Sequence, residues 1–273
     1  MPRLINNYVL GTTKYLSVLL LCLLGCVKTS DLVSSPALPE TNNTVTSVDT
    51  IDDPMSEWFN RVTQGDDEPY KSVCSLHDSD GNLIGSGTLI RPNVVLTAGH
   101  CIDDDSIVSV DFGDEKIAVR KMVLHPHYSS ALGRVTNDIG LIFLECDSKY
   151  QPAKMGCTEW MERHQPITTV GFSFGYKKYS KFGVFRYFGT VIEQPKVMKF
   201  IPRPVSVWFG DSGGGVFTEF GDSEYLVGVI STFTILENYK GYGEVTECSA
   251  VIVAKHLDWI EMEILNEEME QSY

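Results

Sequence analysis

The sequence of 273 residues is short of positive charge: 22 lysines and arginines stand against 36 aspartates and glutamates, a formal net charge of −14. Phosphate neutralisation needs clustered cations, so this balance argues against a nucleic-acid partner. Metal-ligand spacings are missing as well. The six histidines are scattered, and His125-Pro126-His127 has no cysteine or carboxylate at a usual ligand distance, so it reads as a surface loop. No dinucleotide or P-loop fingerprint occurs, and no metal or other cofactor is expected. The apolar run Leu16 to Leu24 is too short for a comfortable membrane span.

What the chain does have is a glycine-rich turn, Gly210-Asp211-Ser212-Gly213-Gly214-Gly215, entered from Val207-Trp208-Phe209 and left through Val216-Phe217. A serine hydroxyl is a weak nucleophile at neutral pH; it needs a base for its proton and donors for the oxyanion formed after attack. The glycines allow a sharp turn that aims the amides of Gly210 and Ser212 at one point without Cβ crowding. A base candidate, His100, ends the apolar stretch Val94-Val95-Leu96-Thr97-Ala98-Gly99 and is followed by Cys101. An orienting acid, Asp138, stands at the mouth of the buried strand Ile139-Gly140-Leu141-Ile142-Phe143-Leu144. Taken singly, these are a structural histidine, a strand-capping aspartate and a glycine hairpin.

Taken in order, TAGHC, NDIGLIFL and GDSGGG resemble the three signatures of the trypsin/chymotrypsin family of serine endopeptidases, over roughly residues 68–264. The chain order His, Asp, Ser matches that family and not subtilisin or the α/β-hydrolases. The resemblance implies that Ser212 attacks the scissile carbonyl, that His100 is general base and then general acid, and that Asp138 fixes its tautomer and stabilises the imidazolium. It implies an oxyanion hole from the Gly210 and Ser212 amides, and a protein or peptide substrate. Ser231 matches the serine leading the family's substrate-binding strand, although any strand of this composition could hold a serine. Counting along the family pattern puts Ser206 at the base of the specificity pocket and Phe233 at its wall. With no acid at the base and a phenyl ring at the wall, cleavage after small or medium apolar residues is expected. A protease-fold protein kept only for binding, with a blocked pocket, is the other function class.

The fold expected is all-β: two packed six-stranded antiparallel barrels and a C-terminal helix. Six strands read between residues 71 and 144, with Asp78 to Asn82 as a hairpin turn. Five more read as Ile167 to Phe172, Phe185 to Glu193, Gly215 to Thr218, Tyr225 to Thr232 and Ala250 to Val253. Barrel 1 is placed at about 65–150, barrel 2 at about 160–253 and the helix at about 254–270, with Leu257, Ile260, Ile264 and Met269 on one face.

Residues 1–26 have the pattern of a secretory signal, and Leu23-Leu24-Gly25-Cys26 resembles a bacterial lipobox, whose cysteine is lipidated. In a bacterium this implies lipid attachment at Cys26 and a surface or periplasmic location; the other reading is an ordinary cleaved signal and secretion. Residues 27–64 are rich in Ser, Thr, Pro, Asp and Asn and read as a disordered tether or propeptide. A monomer is expected.

Seven cysteines suit an oxidising destination. In the family the cysteine after the histidine bonds to one before the Gly-Ser/Thr-Leu-Ile strand, a place held here by Gly85. Pairing about Ser79-Asp80 sets Cys74 opposite Gly85, so a Cys74 to Cys101 disulfide is expected as a substitute. The family's usual Ile-Val-Gly-Gly terminus, partner of the aspartate before the nucleophile, has no clean match, which leaves the partner of Asp211 open.

Overall fold

The computed structural model describes residues 70–131, 135–158, 161, 164–173, 176–188, 196–201, 207–237 and 243–272. The expected leader, Cys26, the tether and Ser206 lie outside the described residues. Strands form where β-branched and aromatic residues gather between turn residues. β1 (Val73–His77), β2 (Leu83–Arg91), β3 (Val94–Thr97), β4 (Ser109–Asp111), β5 (Lys116–Leu124) and β6 (Gly140–Leu144) close into a barrel in the order β1-β2-β3-β6-β5-β4. β7 (Pro166–Ser173), β8 (Tyr176–Phe188), β9 (Val197–Ile201), β10 (Gly215–Phe220), β11 (Ser223–Glu237) and β12 (Gly243–Ile252) close into a second, in the order β10-β11-β12-β9-β8-β7. Read from its other end, the second order repeats the first. Each barrel is sealed by its first and fourth strands, with Leu76 opposite Val110 in one and Val216 opposite Thr169 in the other. Closure removes the open edges that would otherwise invite strand addition.

β3 and β6 are buried along their whole lengths, which is why they read as continuous apolar runs. Their core, with Leu89, Leu96, Ile142 and Phe143, continues through Phe172, Phe217 and Val229 into the contact between the barrels. A second cluster, including Met198, Phe200, Val227 and Ile230, fills the other barrel. The helix α1 (Leu257–Gln271) follows the last strand of barrel 2 but lays Trp259, Ile260 and Ile264 on the first barrel's cluster. Its Glu267 accepts from Arg120 and Lys121 of β5.

Four local expectations change. The first hairpin is longer than a turn about Ser79-Asp80: the Asp78 carboxylate accepts from the backbone of Asp80 and Asn82, Gly81 takes φ 82°, and a bulge separates Leu76 from His77. Cys74 therefore faces Gly87, and Leu76 faces Gly85. Second, Val197–Ile201 forms a strand the pattern did not suggest. Third, α1 begins at Leu257, because Val253–Lys255 is a separate 3-10 turn. Last, Met269 is exposed: the packed face runs on from Ile264 to Glu267, and Met269 lies round the helix from it.

Candidate active site

β3 delivers the chain into a 3-10 turn, Gly99–Cys101. Gly99 is packed so closely that a Cβ there would stand 2.9 Å from Tyr128 and 3.1 Å from the Ile139 nitrogen. This fixes His100 next to the segment that leads into β6. Asn137, in the left-handed region at φ 46°, turns that segment so that Asp138 faces the histidine. Asp138 Oδ1 accepts from the His100 backbone N at 2.8 Å; Oδ2 accepts from His100 Nδ1 at 2.8 Å and from Ser231 Oγ at 2.5 Å. A carboxylate on Nδ1 assigns the proton to that nitrogen and leaves Nε2 as the basic one.

His100 and Asp138 are each 1% exposed. Burial alone would lower the histidine's pKa, but the Asp138 charge and hydrogen bond, with a contribution from Cys101, hold it well above 6.5. Burial alone would raise the aspartate, but His100 and the Ser231 hydroxyl hold it below the usual carboxylate value. Each group of the pair therefore favours its charged form. Ser231 was expected to lead the substrate-binding strand; its side chain is engaged with Asp138.

Ser212 comes from the turn between Trp208 and Gly214. Gly210 has φ 98° and Gly213 φ 84°, and a Cβ at these positions would meet the Phe172 carbonyl at 2.3 Å and the Ser86 carbonyl at 2.1 Å. Only glycine fits both. Neither the Gly210 nor the Ser212 amide donates to another group among the described residues. Ser212 Oγ and His100 Nε2 are buried and neither has a hydrogen-bond partner, so the two are not bonded to each other in this conformation. Asp211 Oδ2 accepts from Ser173 Oγ and from the Trp208 N, both at 2.7 Å. Sequence reasoning missed Ser173 and also Ser86, whose signal is a lone hydroxyl between glycines in the strand Gly85-Ser86-Gly87.

Phe233 is 2% exposed, stacked on Trp208 at 5.5 Å and set edge-on to Phe209 at 5.4 Å. Trp208 and Phe209 also meet edge to face at 5.4 Å, so three rings close on one another beside the nucleophile. Cys74 and Cys101 are not joined, and the five described cysteines form no disulfide with one another. The register explains this. Cys74 Sγ lies 3.4 Å from where a Gly87 Cβ would be, while Cys101 Sγ lies 2.7 Å from the Gly85 Cβ position. The two thiols are thus seated against different positions of β2, two residues apart on one strand face. Among the described residues no three His, Cys, Asp or Glu side chains are arranged to hold a metal ion.

A family model described as Trypsin matches residues 60–260. Vitamin K-dependent protein C of Oryctolagus cuniculus is 23% identical over 260 residues, covering 76% of this chain and 52% of that protein. An uncharacterized peptidase of Corynebacterium glutamicum (strain R) is 27% identical over 217 residues, 73% of this chain and 70% of that one. Chymotrypsin-like elastase family member 1 of Homo sapiens is 31% identical over 121 residues, 41% of this chain and 43% of that one. The chain thus spans about half the length of the first of these relatives.

Proposed function

The chain belongs to the trypsin family, and on that footing we propose that it is a serine endopeptidase whose triad is His100, Asp138 and Ser212. What carries this is the division of labour on one imidazole: Nδ1 is committed to Asp138, while Nε2 and the Oγ of Ser212, the residue whose carbonyl takes the Cys101 thiol at 3.7 Å, are buried and left without partners. Ser212 Oγ attacks the scissile carbonyl carbon as its proton passes to His100 Nε2. The carbonyl electrons move onto oxygen, and the Gly210 and Ser212 amides donate to the oxyanion. Asp138, held as its anion by Ser231 and the His100 backbone, stabilises the imidazolium. Collapse breaks the C–N bond, and His100 gives its proton to the departing amine. Water then attacks the acyl carbon as its proton passes to Nε2; collapse breaks the bond from that carbon to Ser212 Oγ, which takes the proton back from His100 as the acid product leaves.

Small or medium apolar side chains are the proposed acyl-side residues, because Phe233 fills space and Ser206 brings no charge. Ser231 would flank this site through its strand. Export by residues 1–26, lipid attachment at Cys26 in a bacterium, a tether over 27–64 and a monomeric state belong to the same proposal. The second reading is a protease-fold binding protein without turnover. Burial of Ser212 Oγ and His100 Nε2, beside the closed aromatic cluster, is the observation in its favour. Labelling with a fluorophosphonate separates the two. The endopeptidase labels as wild type and not as Ser212→Ala; wild type that stays unlabelled while Phe233→Gly labels belongs to the occluded binding protein.

A further inference from the structure

Two amides aimed at one point are useful only if the peptide units around them cannot turn. In Trp208 to Gly214 three successive peptides are held, the middle one, Asp211–Ser212, by its C=O alone, which accepts from the Gly214 N at 2.9 Å. The Gly210–Asp211 unit is held at both ends, its N–H on the Trp208 carbonyl at 3.1 Å and its C=O by Ser86 Oγ at 2.7 Å. The Ser212–Gly213 unit is held likewise, its N–H on the Ile230 carbonyl at 2.8 Å and its C=O by the Ser86 N at 2.7 Å. With these units fixed, the intervening N–H groups of Gly210 and Ser212 have their directions set. Ser86, on β2 of the other barrel, anchors both carbonyls, and the Cys101 thiol adds a longer contact to that of Ser212 at 3.7 Å.

Ser86 is itself fully engaged. Its hydroxyl accepts from the Phe172 N at 2.9 Å while donating to Gly210, its carbonyl accepts from Thr97 Oγ1 at 2.7 Å, and it has no exposed surface. Phe172 belongs to β7, so this one hydroxyl joins β2, β7 and the nucleophile turn. The anchoring matters most at Gly210. A glycine at φ 98° has other conformations open to it, and the Gly210 carbonyl reports which one is taken.

We propose that Ser86 is a positioning residue that fixes the directions of the Gly210 and Ser212 amides, acting through the Gly210 carbonyl and without touching substrate. The proposal rests on the endopeptidase reading for its kinetic consequence, but not for its structural one.

The test replaces Ser86 by Ala in the full chain and takes Thr218→Val as control, since Thr218 loses a part-buried hydrogen bond, 3.0 Å to the Pro166 carbonyl, away from the turn. For Ser86→Ala, kcat should fall about 10- to 100-fold, short of the 10²- to 10³-fold for outright loss of an oxyanion donor. KM should move less than about threefold, and hydrogen exchange over residues 208–214 should speed up about tenfold or more. Thr218→Val should leave kcat within about twofold and that exchange unchanged. Equal losses in kcat for both variants, or unchanged exchange over 208–214 in Ser86→Ala, would overturn the proposal. If the wild type cleaves no peptide and takes no fluorophosphonate, the endopeptidase reading fails and exchange alone decides: faster exchange upholds the clamp, unchanged exchange removes it. Should Ser86→Ala not fold, Ser86→Cys is read by the same criteria, because it keeps the volume and offers only a weak donor.

Discussion

The two halves of the site use their polar atoms in opposite ways. In one half, the two Asp138 oxygens accept from the His100 N and Nδ1 and from the Ser231 hydroxyl, which reaches across from β11 of the second barrel. On the other side, Ser212 Oγ and the Gly210 and Ser212 amides bond to nothing among the described residues, while the peptides between them are pinned. A buried donor without a partner costs about 1–3 kcal/mol, so the second half is the less stable arrangement. On the proposed endopeptidase reading, the difference separates groups that hold a charge in place from groups kept open for one that has yet to form. It also explains why a glycine turn and a buried ionic cluster lie side by side.

The largest effects come from removing either half. His100→Ala and Ser212→Ala should each lower peptidase kcat by about 10⁴-fold or more, with the double variant hardly worse, because the groups act as a unit. Asp138→Asn should cost about 10⁴-fold through the wrong tautomer. Stability should split these variants where activity does not. Ser212→Ala removes a hydroxyl that has no partner and should leave Tm within a few degrees of wild type. Asp138→Ala strands a buried histidine and should cost about 3–5 kcal/mol by denaturant titration. Equal Tm values for the two would contradict the contrast drawn between the halves.

The pH profile tests the bonded half alone. With His100 as the proposed base, turnover would need it neutral; Asp138 raises that group's pKa in the folded protein, so the acid limb of kcat/KM should have its midpoint above 6.5. Activity should fall about tenfold for each pH unit below it. A flat profile between about pH 5 and 8 would remove histidine from the mechanism. Asp138 titrates below its usual range and should leave no mark on this limb.

A smaller effect belongs to the aromatic cluster. Phe233→Gly should raise kcat/KM for peptides carrying Phe, Tyr or Leu on the acyl side by about tenfold, a gain of the size that a few methylenes bring in an apolar pocket. Cleavage after Arg or Lys should stay poor in both proteins, since desolvating a cation without a carboxylate costs several kcal/mol. A peptide-library profile decides it, and a wild-type preference for Arg or Lys would refute the place given to Ser206.

The barrels were legible because their strands carry strong local signals. Val94 to Leu96 and Ile139 to Leu144 are apolar and buried, as their runs suggest. β9 was missed because Val197-Met198-Lys199-Phe200-Ile201 is brief and interrupted by a lysine; its Met198 and Phe200 are buried only because β8 and β12 come to either side. The first hairpin failed for a different reason. Its register depends on a bulge and on how far the Asp78 carboxylate reaches along the turn, and neither changes the alternation of side chains before and after it. With the register two residues out, the Cys74 to Cys101 pairing fell as well. At the site, the residues of the motifs are brought close by position in the chain and glycine content. Ser86 and Ser173 could not be found that way, because a hydroxyl in a strand says nothing of which distant carbonyl or carboxylate it will meet.

The smallest effect on activity, and a control for the His100 argument, comes from a second buried histidine. His256, at the start of α1, is 2% exposed, lies edge-on to His125 at 5.0 Å, and has no partner at either ring nitrogen. Burial first, then the charges of Lys196 and His125, lower its pKa to about 3, and burial and Lys196 lower His125 to about 4. A protonated ring would also face the positive end of the helix. The sign is the reverse of His100. Below about pH 6.5 the unfolded chain takes up a proton that the folded His256 refuses, so its contribution to stability is complete above 6.5 and declines as pH falls towards 3. The slope is at most about 1.4 kcal/mol per pH unit for such a group. His256→Phe keeps an aromatic ring against His125 and Trp259 and removes that proton. Its urea midpoint should fall less steeply than the wild type's between pH 6.5 and 4, while the acid limb of kcat/KM stays where it was. An unchanged slope would show that His256 is not held neutral by its burial, and a shifted acid limb would show that the helix cluster and the His100 pair are coupled.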